Sequence, residues 1–205
     1  MPGPSLTTDA IILMERPPAD AFQTFTAFSP SHGALRIVQR LPAKAASAVI
    51  VPDLFDEVSL LLEGAPQGDA WFVKESRLLV RHTGIGRNYE ALVRASAFAT
   101  LVARNPVAEE SRATVHALLR TVFAAFASGA SPDTVYLKSL YAFARDEGYP
   151  LKQAWFPALP AEDRPLAAAL INQPLAAQTV APTDAVRLLH RLEDYLRRYT
   201  DIHLD

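Results

Sequence analysis

The chain has 205 residues, half of them apolar and a fifth charged, and a formal net charge of -2, enough chain for one sizeable core or two small ones. That balance excludes a bulk electrostatic pull towards nucleic acid or an anionic membrane, so any basic site must be local. There are no cysteines, which removes disulfides, thiolate metal sites and a cysteine nucleophile together.

The opening MPGPSLTTDAIILMERPP has neither the basic start nor the long apolar core of a signal peptide. The longest weakly charged run, LAAALINQPLAAQTVAP, is broken by Asn172, Gln173 and Pro174, so no membrane span is expected. The expectation is a cytoplasmic protein.

From Thr8 to about Arg81 the chain reads as short β-type runs: DAIILMER, AFQTFTAFSP, GALRIVQRL, DLFDEVSLLLEG and AWFVKESRLLV. Breaks fall at Pro17-Pro18, Ser29-Pro30, Pro42 and GAPQGD. No helical pattern separates these runs, which argues for an antiparallel sheet curling into a small barrel. A five-stranded oligonucleotide-binding (OB-fold-type) barrel fits the count, with an SH3-like barrel as its competitor.

After HTGIG, residues 82–86, the period becomes helical. RNYEALVRASAFATLVARN places Tyr89, Leu92, Ala95, Ala99 and Val102 on one stripe. AEESRATVHALLRTVFAAFASG does the same for Val115, Leu118, Leu119, Val122, Phe123 and Phe126. SPDTVYLKSLYAFARDEGYP opens on Ser131 as a cap, with Asp133 in the first turn, and stops at Gly148. A last helix from near Thr183 carries Val186, Leu189, Leu192, Leu196 and Tyr199, opposite Arg187, Arg191, Asp194, Arg198 and Asp201. The predicted fold class is therefore α+β: a barrel domain over residues 1–82 and an all-α helical domain over residues 83–205. Lys plus Arg against Asp plus Glu is 7 to 9 in the first and 13 to 13 in the second, so neither is basic in bulk.

Catalytic signatures are absent from the linear pattern. The five histidines are scattered, with no pair at helical metal-ligand spacing. GIGRNYE has Tyr89 where a dinucleotide-binding loop needs its third glycine. Neither a P-loop lysine pattern nor a GxSxG elbow occurs. The sequence predicts no cofactor, no metal and no enzyme; a hydrolase assembled from distant residues is the third-ranked class.

HGALRIVQRLPAKAAS, residues 32–47, carries Arg36, Arg40 and Lys44 at every fourth position. Strand alternation puts Arg36 and Arg40 on the same side, about 13 Å apart at about 3.3 Å per residue, a spacing that suits an extended single strand. Lys44 lies past Pro42, in a loop. Of the other barrel cations, parity puts Arg77 and Arg81 on one face and Lys74 on the other. The competing reading is a solvated outer face carrying ordinary charges. Phe22, Phe25, Phe28, Phe55, Trp71 and Phe72 are either core or base-stacking surface. The arginines of the last helix read better as a solvated face paired with its acids.

TDAIILMERPPADAFQTFTAFSPSHGALRIVQRL, then LFDEVSLLLEG, then ESRLLVRHTGIGRNYEALVRASAFATLVARN, resemble in order and spacing the RecO recombination mediators. YLKSLYAFARDEGYP is similar to that family's helix ending in a Gly-Tyr segment, and LLHRLEDYLRRYTDIHL to its closing helix. The resemblance implies a non-catalytic factor of DNA repair and recombination, cytoplasmic and nucleoid-associated. Such a factor binds single- and double-stranded DNA and anneals complementary strands. It engages the tail of single-stranded DNA-binding protein and works with RecR to load RecA. On this chain the positions that match are Arg36 and Arg40, with Lys44 in the loop, and Lys138 near a basic position of the partner-binding helix; the other barrel cations, Lys74, Arg77 and Arg81, complete the candidate DNA contacts. Two departures stand out: the cysteine zinc module that many members carry after the Gly-Tyr segment is missing, and their strongly basic run is replaced by QRLPAKAAS. The alternative is an adaptor of the repair machinery with little direct DNA binding.

Overall fold

Five strands form where the sequence alternates apolar and polar side chains: β1 (Ser5–Glu15), β2 (Phe22–Ser29), β3 (Gly33–Arg40), β4 (Glu57–Gly64) and β5 (Ala70–Val80). The computed structural model describes residues 3–41, 50–65 and 67–204. The strands pair in the order β1-β2-β3-β5-β4, and β4 returns to β1, so the sheet closes into a barrel without a free edge. All pairings are antiparallel except β3 with β5, which run parallel.

Period-two alternation sends Ala10, Ile12, Phe25, Ala27, Leu35, Ile37, Val58, Leu60 and Leu62 into the barrel core, with Leu6, Trp71, Val73 and Leu78 packed against it. Two register shifts between β4 and β5, at Glu57/Val58 and Leu61/Leu62, interrupt that alternation. Each inserts a residue without a partner and resets which side chains point outward.

The β2-β3 hairpin explains the pair His32-Gly33. Ser29 Oγ accepts hydrogen bonds from the amides of Ser31 and His32, at 3.2 and 3.3 Å, which curls the chain back on itself. Gly33 then adopts φ +69°, a left-handed conformation that glycine takes without a steric penalty. A side chain there would also meet the Arg112 guanidinium, whose Nε would lie 3.1 Å from the added Cβ.

Six α-helices follow: α1 (Tyr89–Arg104), α2 (Arg112–Ala127), α3 (Pro132–Asp146), α4 (Trp155–Ala158), α5 (Asp163–Asn172) and α6 (Pro182–Tyr199). By internal contacts the chain divides into residues 1–82 with 106–120, and residues 83–105 with 121–205. The opening turns of α2 thus count with the barrel, whereas the sequence assigns the whole segment to the helices. Arg112, His116 and Arg120 account for this, because their i, i+4, i+8 spacing aligns them on one side of α2. Arg112 donates to the Ser31 carbonyl at 3.1 Å, Arg120 Nε to Glu57 Oε2 at 3.0 Å, and His116 is buried.

In the helical unit the core comprises Ala95, Phe98, Ala99 and Val102 of α1, Val122, Phe123 and Phe126 of α2, Leu137, Leu140 and Phe143 of α3, and Leu188, Leu189, Leu192 and Leu196 of α6. The α1 stripe is rotated from its sequence assignment: Tyr89 is 80% exposed, and Ala91 and Phe98 turn inward instead. Tyr199 likewise lies outside the α6 stripe. Ser131 precedes α3 without a side-chain cap bond, and Asp133 pairs with Arg94 at 2.6 Å. The α6 arginines are not merely solvated. Arg187 and Arg191 each reach the buried carboxylate of Asp163, both at 2.7 Å, which compensates a charge only 1% exposed. Among the described residues, no helix is long and apolar enough to cross a membrane.

Candidate nucleic-acid interface

The outer face of β2, β3 and β5 collects most of the cations singled out in the sequence. Cross-strand register fixes their neighbours: Phe22 faces Arg40, Thr24 faces Val38 and Thr26 faces Arg36 between β2 and β3. Across the parallel pairing, Arg36 meets Ala70 and Val38 meets Phe72. The inward residues of β3, Leu35, Ile37 and Gln39, are buried, whereas Arg36 and Arg40 are exposed between them. These two arginines project on the same side, as strand parity requires.

Lys74 is the residue that parity misplaces. Leu61 pairs with Glu75 and Leu62 with Val73, so Lys74 is the extra residue of a bulge. Its ammonium reaches Glu63 at 2.5 Å, and Glu63 stands opposite Phe72 on the outer face. Arg77 faces Ser59 on that same side. The bulge therefore joins Lys74 and Arg77 where uninterrupted alternation separates them.

The electrostatics of the face are mixed. Arg36 pairs with Asp69 at 2.8 Å, and the lysine's hydrogen bond and charge hold the Glu63 carboxyl below its usual range. Among the described residues, Arg40 and Arg77 have no ion-pair partner. Two free guanidiniums and two lightly countered cations thus line one exposed surface, and pairs as exposed as Arg36 with Asp69 contribute little and exchange readily with phosphate.

The aromatic residues divide. Phe25, Phe28 and Phe55 are buried and Trp71 packs on the barrel core. Phe22 and Phe72, by contrast, are 41% and 37% exposed.

No family model and no curated protein matches this chain. The reading of its surface therefore rests on side-chain chemistry and on the resemblance in motif order.

Arg81 does not join the outer cations. It donates from Nε to both carboxylate oxygens of Asp56, at 3.0 and 3.2 Å, and from a terminal nitrogen to Oδ2 at 2.5 Å. Asp56 is buried and also accepts the Asp53 amide at 2.9 Å, so this fork fastens the loop before β4. In that loop Phe55 holds φ +68° and is 4% exposed, a left-handed conformation kept by its packing and by its amide bond to the Ile12 carbonyl.

Lys138 is also committed. It lies in the helical unit, where its ammonium donates to the carbonyls of Leu170, Ile171 and Gln173 at 2.9, 2.8 and 2.9 Å. These carbonyls lie at the end of α5, where Gln178 Nε2 also donates to Leu170 and Gln173 at 3.0 and 2.8 Å, so Lys138 and Gln178 cap that helix together and the lysine's three protons are used. Burial pushes its ammonium below the ordinary lysine value. Lys44 lies outside the described residues. Among the described residues, no group of three or more His, Cys, Asp or Glu side chains is placed to hold a metal ion.

What the sequence reading missed are the counterions. Asp69 lies more than thirty positions beyond Arg36, and Glu63 stands across the β4-β5 hairpin from Lys74, so strand pairing brings acid and cation together.

Proposed function

We propose that this protein is a RecO-like, non-catalytic factor that binds DNA and anneals complementary strands, using an OB-type barrel as its nucleic-acid-binding module. One observation carries the reading: Arg36, Arg40, Lys74 and Arg77 share an exposed outer face on β3 and β5 of a closed five-stranded barrel. The strand order β1-β2-β3-β5-β4 with its parallel β3-β5 pairing supports the OB-type assignment over an SH3-like one. Annealing needs charge screening and proximity, while base pairing supplies the specificity. Recombinational repair, with RecR, RecA and the tail of single-stranded DNA-binding protein as partners, is the setting implied by the resemblance.

Fluorescence anisotropy of a labelled single-stranded oligonucleotide, titrated across a series of salt concentrations, tests the reading. Contacts from these cations to phosphates predict a log-log salt slope of about -3, at about 0.7 per phosphate on a single strand. Annealing of complementary strands should accelerate in parallel. An absence of binding at low salt, or binding that ignores salt, overturns the DNA role. The pairing of Arg36 and Lys74 with carboxylates keeps a second reading in play, an adaptor that engages an acidic tail peptide. Tight peptide binding without DNA binding would select it.

A further inference from the structure

Two large apolar side chains stand in water on the face that carries the free arginines, and their positions are fixed by the backbone. Phe22 begins β2 and exchanges two 3.0 Å backbone hydrogen bonds with Ala19 across a tight turn in which Asp20 takes φ 52°. Phe72 is held between two strands, opposite Val38 of β3 and Glu63 of β4. The phenylalanines of β2 that face the barrel interior or its covered side, Phe25 and Phe28, are 0% and 1% exposed. Phe22 and Phe72 are thus set apart from the buried phenylalanines of the barrel unit, although Ile50 and Leu79 are exposed to a similar degree.

We infer that Phe22 and Phe72 make this face select unpaired over paired nucleic-acid strands, by stacking on bases whose phosphates the neighbouring arginines hold. The inference rests on the reading of the barrel as a nucleic-acid-binding module. Its geometry follows from the register. Phe22 is the direct partner of Arg40 and Phe72 the direct partner of Val38, and Arg40 and Val38 are two residues apart on β3. The two rings therefore flank β3 from opposite sides, separated by about two strand spacings of about 4.8 Å each. A ring on either side of a central strand, with Arg40 at the level of one ring and Arg36 two residues beyond the level of the other, suits one extended strand laid across the sheet.

Duplex and single strand differ in what they can offer such a surface. Both present phosphates, so both respond to the arginines. Only an unpaired strand can turn base faces outward, because in a duplex those faces are already stacked on one another. Base-aromatic stacking is also indifferent to sequence, since every base has a π-face. A surface of this composition prefers single strands without reading their sequence, which is what an annealing factor requires.

The test compares the single-stranded oligonucleotide with a hairpin duplex of the same composition, in the same salt series, for the full chain and its variants. Phe22→Ala and Phe72→Ala should each weaken single-strand binding about thirtyfold, the middle of the range for losing one stacked base. They should leave duplex affinity and both salt slopes unchanged. Phe72→Trp should retain the preference, which separates stacking from a merely structural role, and Arg40→Glu should weaken both ligands together. Equal losses on both ligands, or no loss on either, overturn the inference. So does sedimentation showing that the wild-type chain self-associates and that both alanine variants dissociate it, because the face would then be covered by a second copy. If the wild-type chain binds neither ligand, the underlying DNA reading falls; if it binds with a salt slope and ignores the phenylalanines, only the stacking inference falls.

Discussion

Arg81 grips Asp56 with two nitrogens, Nε 3.0 Å from Oδ1 and a terminal nitrogen 2.5 Å from Oδ2, on a carboxylate only 1% exposed. Removing the guanidinium strips that buried charge of three hydrogen bonds and leaves it the Asp53 amide at 2.9 Å. Arg81→Met should therefore destabilise the protein by about 1–2 kcal/mol, the low end for hydrogen bonds to a charged group because the arginine itself is 41% exposed. Urea unfolding measures this. At temperatures where the variant is folded, its affinity for oligonucleotide should equal that of the wild-type chain; a lower salt slope would return Arg81 to the phosphate-binding set.

Asp69 and Glu63 neutralise cations that the proposed interface needs. Binding a phosphate at Arg36 or Lys74 means exchanging a carboxylate for it, so the acids restrain affinity. Asp69→Asn with Glu63→Gln should tighten single-strand binding at low salt and steepen the salt slope by as much as about 0.7 for each cation that gains a phosphate. Anisotropy titrations check both. Unchanged affinity would mean that Arg36 and Lys74 do not touch the nucleic acid, leaving Arg40 and Arg77 as the contacts.

How far the sequence could anticipate this face depends on the kind of information each residue carries. Turn chemistry is local, so Gly33 and the proline breaks delimit strands that the structure draws within a few residues. Side-chain parity is also local until a bulge intervenes. The shift at Leu61/Leu62 depends on how β4 and β5 align, and no alternation within AWFVKESRLLV announces it. Closure of the barrel and the parallel β3-β5 pairing bring together residues more than thirty positions apart, as with Arg36 and Ala70. The α5 helix (Asp163–Asn172) sits in a run of alanines without a strong apolar period, and its stability comes from tertiary contacts. Lys138 is singled out by the resemblance alone, and its role as a cap is not legible because the carbonyls it reaches belong to a helix that the pattern does not mark.

Those carbonyls make Lys138 a stability residue. Lys138→Met keeps the length and apolar stem of the side chain but withdraws three donors from the end of α5. Gln178 still donates to Leu170 and Gln173, so a cost of about 1 kcal/mol is expected, the low end for leaving an acceptor unpaired. Hydrogen exchange should show the loosening concentrated in α5 and the turn after it. Loss of affinity for a partner peptide with unchanged stability would contradict this assignment.

His116 gives the barrel unit a pH dependence whose sign follows from its surroundings. It is 8% exposed on the side of α2 that carries Arg112 and Arg120, and its Nε2 has no hydrogen-bond partner. Burial pushes its imidazole below the ordinary histidine value, opposed by Glu57, reinforced by Arg120 and opposed again by Asp9. His82 is shifted the same way, chiefly by burial, against the pull of Glu57 and Asp56. A histidine whose pKa is lower folded than unfolded binds fewer protons in the native state, so the unfolded chain gains when protons are supplied. The stabilisation is complete above about pH 6.5, the unfolded value, and is lost as pH falls through the depressed native value. Urea unfolding at pH 7.5 and 5.5 should show lower stability at the lower pH. That window stays above the ordinary carboxylate range. His116→Gln and His82→Gln should each reduce the difference, and the double variant should flatten it. Equal stability at the two pH values in the wild-type chain would show that α2 can hold a charged imidazole against the barrel.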